Sequence, residues 1–127
     1  MFELVDTTDE EINELKNLNE LQLFKMGYIK IKGTCTFKID ENNESVGFVT
    51  LCSEGDCSNI NIDEFEILKS KRDNGIGSRF ISELLSDPNI KTAELYYNDD
   101  KSKKFWIKQG FICQDDGTGT EKMYYTK

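Results

Sequence analysis

An Arg-x-x-Gly-x-Gly run, Arg72 to Gly77, separates two stretches of opposite hydrophobic period. Before it, Ile60 to Leu68 is rich in Ile, Phe and Leu and reads as a strand; after it, Ile76, Phe80, Ile81, Leu84 and Leu85 recur at helical spacing. Asp87-Pro88 stops that helix, and residues 91–97 form a further short strand with Ala93, Leu95 and Tyr97 in phase. A strand that reaches its successor through a helix runs parallel to it, so the sheet must hold at least one parallel pair. The expected class is α/β (α+β) with a mixed sheet. Its ligand would sit beyond the carboxyl ends of the strands, where Arg72 to Ser78 lie.

Such a loop makes an anion cradle. A helix start points its amides, and the positive end of its dipole, at whatever stands in front of it. Gly75 and Gly77 lack a Cβ and let phosphates approach the main chain, and Arg72 adds a fork of charged donors. The run is not a P-loop, which needs Gly-Lys-Ser/Thr, and it is not a dinucleotide fingerprint, because Phe80 occupies the place of the last glycine.

Composition narrows the chemistry. At 127 residues the chain fits one domain, and it contains no histidine, which removes Ser-His-Asp and Cys-His nucleophile systems. A proton must therefore move through a carboxylate, Tyr, Cys, Lys, a terminus or water. The net charge of -8 weighs against nucleic acid, which calls for a dense basic surface, and suits a cationic or amine-bearing partner as well as plain solubility. No apolar run approaches the ~20 residues of a membrane span. The acidic start Met1 to Asp6 does not resemble a secretory signal, so a cytoplasmic setting is expected. Cys35, Cys52, Cys57 and Cys113 lack Cys-x-x-Cys spacing, which predicts free thiols and no metal site.

The remaining elements follow from caps and turns. Phe2 to Val5 reads as a first strand, and Thr8-Asp9-Glu10-Glu11 as a capping box opening a helix with Ile12, Leu15, Leu18 and Leu21 inward and Gly27 at its end. Thr34 to Ile39 and Val46 to Cys52 form a hairpin about the turn at 40–43. The strand before the glycine loop changes phase between Ile62 and Phe65, which predicts a bulge near Asp63 or Glu64. A helix capped by Asp99 or Asp100 ends at Gly110, and a closing hairpin joins residues 111–114 to 121–125 around Asp115 to Gly119.

Two segments together carry a resemblance. Ile67 to Ile81 resembles the acetyl-CoA motif of the GNAT superfamily of N-acetyltransferases, in which Arg/Gln-x-x-Gly-x-Gly/Ala meets the pyrophosphate. Phe105-Trp106-Ile107-Lys108-Gln109-Gly110-Phe111 is similar to that family's second motif, an aromatic helix ending in Gly-Phe. The resemblance implies one domain over residues 1–127: a mixed, mostly antiparallel sheet, a central parallel pair splayed at the cofactor site, and helices on both faces. It implies acetyl-CoA as acyl donor and direct attack by a primary amine in a ternary complex. The acceptor would be an amine-bearing small molecule or a protein, and the enzyme a monomer or homodimer.

Residue roles are implied in the same way. The main chain at Ile67 and Leu68 would meet the pantetheine and the acetyl carbonyl. Arg72, Asp73, Asn74, Gly75, Ile76, Gly77 and Ser78 would hold the pyrophosphate, and Asn98 would touch the pantetheine. The chain departs from the pattern at Trp106, where members often carry a Tyr that protonates the leaving thiolate; an indole is no acid at neutral pH. Asp63, Glu64 and Glu66 are then the candidate proton acceptors, and Tyr97 or its neighbour Tyr96 the candidate acid. An acyl-CoA-binding module with little or no catalysis, acting through a protein partner, is the alternative reading. A phosphate-binding domain unrelated to acyl transfer is a third.

Overall fold

Two asparagines in left-handed conformation, Asn42 (φ 54°) and Asn43 (φ 64°), turn the chain between two long antiparallel strands. Both central positions of that tight turn need positive φ, which Asn tolerates. The structure is a computed structural model, and it describes residues 1–22, 24, 34–53, 58–97, 100–113 and 122–127. In chain order the elements are β1 (Phe2–Asp6), α1 (Asp9–Asn17), β2 (Thr34–Glu41), β3 (Glu44–Ser53), β4 (Asn59–Ile67), α2 (Ile76–Leu85), β5 (Thr92–Tyr96), α3 (Asp100–Lys108), β6 (Ile112–Cys113) and β7 (Lys122–Thr126). They build one seven-stranded sheet in the order β1-β2-β3-β4-β5-β7-β6. Every neighbouring pair is antiparallel except β4 and β5, which are parallel as the crossover through α2 requires. The mixed, mostly antiparallel sheet expected from the sequence is borne out.

The expected bulge is present and explains the phase change. Thr50 pairs with Glu64 and the next residue, Leu51, with Ile62, so Asp63 has no partner on β3. The extra residue returns Phe65 and Ile67 to the face that already carries Ile60 and Ile62, where all four join the core beneath α2 and α3. Val49 points to that side; its neighbour Phe48 points to the other, where it packs with Ile12, Leu21, Phe24 and Leu68. Helices thus cover both faces. Phe65 is central to the larger core, its ring 5.7 Å from Phe80, 6.1 Å from Phe105 and 5.9 Å from Trp106.

α1 is shorter than its pattern suggests. Thr8 caps its start, accepting from the Glu11 amide at 3.2 Å, but the helix stops at Asn17 and does not run on toward Gly27, which lies outside the described residues. The reason is Asn19, which takes φ 59°. Its N–H donates to Lys16 O (3.0 Å) and that of Glu20 to Leu15 O (2.9 Å), the bond pair of a Schellman ending. Leu18 is consequently 66% exposed, while Leu21, beyond the helix, is buried. α3 ends in the same motif as expected: Gly110 has φ 98°, Phe111 N–H reaches Trp106 O at 3.1 Å, and the two rings meet at 5.2 Å.

The remaining sequence expectations divide cleanly. The turn at 40–43 narrows to Asn42 and Asn43, and the closing pair β6 and β7 forms, its connection lying outside the described residues. Cys35, Cys52 and Cys113 are free thiols; Cys57 lies outside the described residues. Among the described residues no helix is long and apolar enough to cross a membrane.

Gly47 on β3 is a constraint the sequence did not advertise. A Cβ there would come within 2.6 Å of Glu66 O on the facing strand. Gly47→Ala is expected to destabilise the fold by about 1–3 kcal/mol through forced separation of β3 and β4. Urea denaturation of the two proteins measures it, and an unchanged midpoint would show that the strands part without cost.

Candidate active site

β4 and β5 stay together only from Asn59/Thr92 to Asn61/Glu94, although β4 continues to Ile67 and β5 to Tyr96. They part after Asn61 and Glu94, ahead of the bulge at Asp63. The gap, about 470 Å³ with its open mouth, is bounded by Asp63, Glu64, Phe65 and Glu66 on one side and Leu95 and Tyr96 on the other, with Trp106 among its walls. Parting the strands leaves main-chain groups of β4 without a strand partner on that side among the described residues. Leu68 N–H donates to Val46 O at 2.9 Å, so by the alternation of an antiparallel ladder the N–H and C=O of Ile67 and of Phe65 point away from β3, into the gap.

Past β4 a 3-10 turn at Lys69–Lys71 leads to Arg72, whose backbone is extended, and then to Asp73 (φ 67°) and Gly75 (φ 71°). Gly75 is the N-cap of α2 and brings no side-chain cap. The helical ladder begins with Arg79 N–H to Gly75 O at 3.0 Å, so the amides of Ile76, Gly77 and Ser78 stand ahead of it and point out of the helix mouth. The two glycines serve different ends. A Cβ on Gly75 would meet nothing within 4 Å, so the space before the helix is open, whereas one on Gly77 would touch the Phe105 ring at 3.4 Å. Gly77 thus marks the place where α2 faces α3. Asn74 braces the turn through weak contacts from Nδ2 to Arg72 O (3.3 Å) and Lys71 O (3.4 Å), and the Ser78 hydroxyl accepts from Gln109 Nε2 at 2.9 Å. A second cleft, about 830 Å³, links this mouth to the strand gap and is lined in part by Ile67, Arg72, Gly77, Lys101 and Phe105.

No family model and no curated protein sequence matches this chain, but solved structures do. The structure of Tetrahymena GCN5 is similar over 99% of this chain and 95% of its own, with TM-score 0.73 and 16% identity. The aminoglycoside acetyltransferase AAC(6')-Ib in complex with coenzyme A and kanamycin covers 100% and 95%, with TM-score 0.69 and 13% identity. A mutant of the Vibrio cholerae spermidine N-acetyltransferase SpeG covers 98% and 93%, with TM-score 0.69 and 12% identity. The chain has the GNAT acetyltransferase fold.

Within that GNAT fold the sequence-derived residues are distributed unevenly. Leu68 is spent inside the protein: its N–H goes to Val46 O, its carbonyl accepts from the Lys71 amide at 2.8 Å, and its side chain is buried. The main-chain groups facing the gap belong to Ile67 and Phe65, and Phe65 was absent from the sequence reading. It was findable, being two residues before Ile67 and therefore on the same edge of the strand. Asn98 lies outside the described residues.

Glu66 does not present a spare carboxylate. It accepts from the Gln22 and Phe24 amides, each at 2.8 Å, and from Arg72 Nη2 at 2.7 Å. Arg72 also donates Nε to Ile67 O and Nη1 to Gln22 Oε1, both at 3.0 Å. Close by, Glu20 accepts from Ser70 N–H (3.0 Å) and Oγ (2.8 Å), which holds its carboxyl below the ordinary value, the backbone bond being the larger cause. These contacts staple the stretch after α1 to the end of β4, and no local pattern announces them, because the partners lie some 44 and 50 positions apart.

Two acidic residues remain on the gap. Glu64 is half-buried on the row of Thr50, whose hydroxyl is paired with that of Thr36 at 2.9 Å. Asp63 is exposed as a residue, yet neighbouring atoms desolvate its carboxyl and push its pKa above the usual aspartate value. Tyr97 packs against the core with the Lys103 ammonium 5.5 Å from its ring centroid, whereas Tyr96, 56% exposed, lines the gap. Trp106 is buried. Lys122, held above its usual pKa by the Tyr124 hydroxyl and Glu94, stands 5.7 Å from the centroid of Tyr96.

The positive φ at Gly75 sets a measurable preference. Gly75→Ala is expected to cost about 1–2 kcal/mol from left-handed strain alone, and Gly75→Asn to recover most of it, since Asn tolerates that region. Thermal melts of both variants decide this, and equal melting points for Ala and Asn would contradict it.

Proposed function

We propose that the protein is an N-acetyltransferase that uses acetyl-CoA and a primary-amine acceptor, with both substrates bound at once. One observation carries the reading: a strand whose free edge turns the main chain of Phe65 and Ile67 toward a gap, beside a helix mouth left open at Gly75. An acyl-CoA fits these groups. Ile67 and Phe65 would bond the pantetheine and the acyl carbonyl, and the amides of Ile76, Gly77 and Ser78, with Arg72 and the Asn74 and Gly75 main chain, would hold the pyrophosphate. Arg72 and Lys101, both on the cleft wall, add positive charge. The donor supplies a thioester carbonyl: the acceptor's nitrogen bonds its carbon, the C–S bond breaks, and the thiolate leaves to be protonated.

The chain's own part is positioning and charge. An outward N–H of β4 donates to the carbonyl oxygen as it gains negative charge. Asp63 takes the proton from the attacking amine, directly or through water; its raised pKa makes it a stronger base than an ordinary aspartate. Glu64 is the second choice, and Glu66 is excluded from this duty by its three bonds. Tyr96, on the opposite lip, is the candidate proton donor to the thiolate in place of Tyr97. Asp63 and Glu64, with the net charge of -8, favour a cationic small amine as acceptor. The mutant SpeG and the kanamycin complex of AAC(6')-Ib, both of this fold, lend that choice support.

Titration calorimetry with acetyl-CoA, followed by thiol release with a panel of amines, tests the reading. Saturable binding with turnover on at least one amine is expected; no binding at millimolar cofactor rejects it. Binding without turnover on any amine, peptide or protein favours the acyl-CoA-binding module, a reading supported by the buried Trp106 at the position where an acid is expected.

The pH dependence follows from the direction of the Asp63 shift. Its basic form appears only above the raised pKa, so kcat/KM should fall as pH drops through that value. Asp63→Asn is expected to lower kcat about 10²- to 10⁴-fold and to remove that limb. An unchanged profile would transfer the role to Glu64, checked by Glu64→Gln.

A further inference from the structure

The acceptor side and the cofactor side of the gap share one pair of side chains. Glu66 accepts the amides of Gln22 and Phe24, so it fixes the stretch after α1, and Phe24 is itself part of the wall between β4 and β5. Glu66 also holds Arg72, whose guanidinium bonds Gln22 Oε1 and Ile67 O while lining the cofactor cleft. A guanidinium has five N–H groups, and these three bonds use only three of them. A phosphate can therefore bond Arg72 without breaking its grip on Glu66 and Gln22.

We propose that Glu66 is a positioning residue that, through Arg72, couples occupancy of the cofactor cleft to the order of the stretch bearing Glu20, Gln22 and Phe24. The inference rests on the acyl-CoA reading above. When Arg72 opens away, Glu66 loses the guanidinium that clamps it, and its hold on the Gln22 and Phe24 amides loosens. A ligand anion on Arg72 disfavours that opening and so firms the wall against which an acceptor packs. Linkage makes the effect mutual: whatever factor the cofactor adds to the closed stretch, the closed stretch adds to cofactor affinity. Ser70 and Lys69 support the same stretch independently through Glu20, which keeps it in place when the latch is weakened.

Amide hydrogen exchange read residue by residue by NMR, with and without saturating CoA, tests the coupling, and calorimetry on the same samples reports CoA binding separately. In the wild type, exchange at Gln22 and Phe24 is expected to slow at least about fivefold more than at Tyr124 on β7. In Glu66→Gln the extra slowing disappears, and CoA binds more weakly by the same factor. Gln22→Ala, which removes one side-chain contact to Arg72 and leaves the Glu66 charge, should lose part of the effect with little change in melting temperature. CoA binding with equal slowing at all three amides, or with none, overturns the coupling and leaves the acyltransferase reading intact. Undiminished extra slowing in a folded Glu66→Gln protein, or in Gln22→Ala should the former not fold, also overturns it. Failure of CoA to bind the wild type overturns both.

Discussion

The parting of β4 from β5 is the constraint on which the rest of the structure depends. Two parallel strands that stayed in register would spend every edge group on each other. Here they part after Asn61 and Glu94, and the bulge at Asp63 follows two residues later on β4. The bulge bends β4 and rotates its side chains so that Phe65 still enters the core between Phe80 and Phe105. A hydrophobic anchor of that size is what allows the strand to leave its neighbour without fraying: the ring stays packed against the core while the backbone edge stays open. Core packing and site formation are thus the same event at one residue.

An open edge must also be kept from closing or collapsing. On its outer side β4 is held by β3, where Gly47 permits an approach that any Cβ would block. At its end the strand is held by carboxylates working as acceptors for main-chain amides: Glu20 takes Ser70, and Glu66 takes Gln22 and Phe24. Each carboxylate joins segments distant in sequence, and each lies beside the turn that delivers the helix mouth. Rigidity of this kind is what positioning chemistry needs, because a site that relies on placing two reactants loses rate quickly as its walls loosen.

Local signals read well where the physics is local. The Thr8 cap, the glycine ending at Gly110, the hairpin turn and the helical stripe of Ile76, Phe80, Ile81 and Leu85 all depend on residues within a few positions of each other. The bulge was legible too, since a break in alternation has few other causes. α1 was misjudged in length because Leu18 and Leu21 fit a helical period while Asn19, a weaker signal, ended the helix. The candidate site was legible as a loop and a strand, but not at the level of single groups. Phe65, and not Leu68, turns its main chain toward the gap through the hydrogen-bond parity of β4, which is fixed by β3 and not by either residue's identity. Glu66 and Tyr97 lost their assigned prominence for the same kind of reason, one to amides forty-odd positions away and one to the core.

By itself the sequence determined the class of fold, the crossover that forces one parallel pair, the exclusion of histidine chemistry and the place of a glycine-framed helix mouth. These follow from period, turn residues and absent residue types, all properties of short windows. The tertiary structure alone decided which β4 groups face the gap, which carboxylates are left on it and which tyrosine lines it. Those outcomes depend on strand register and on long-range hydrogen bonds, and a side chain's neighbours across a sheet are set by pairing that no single segment encodes.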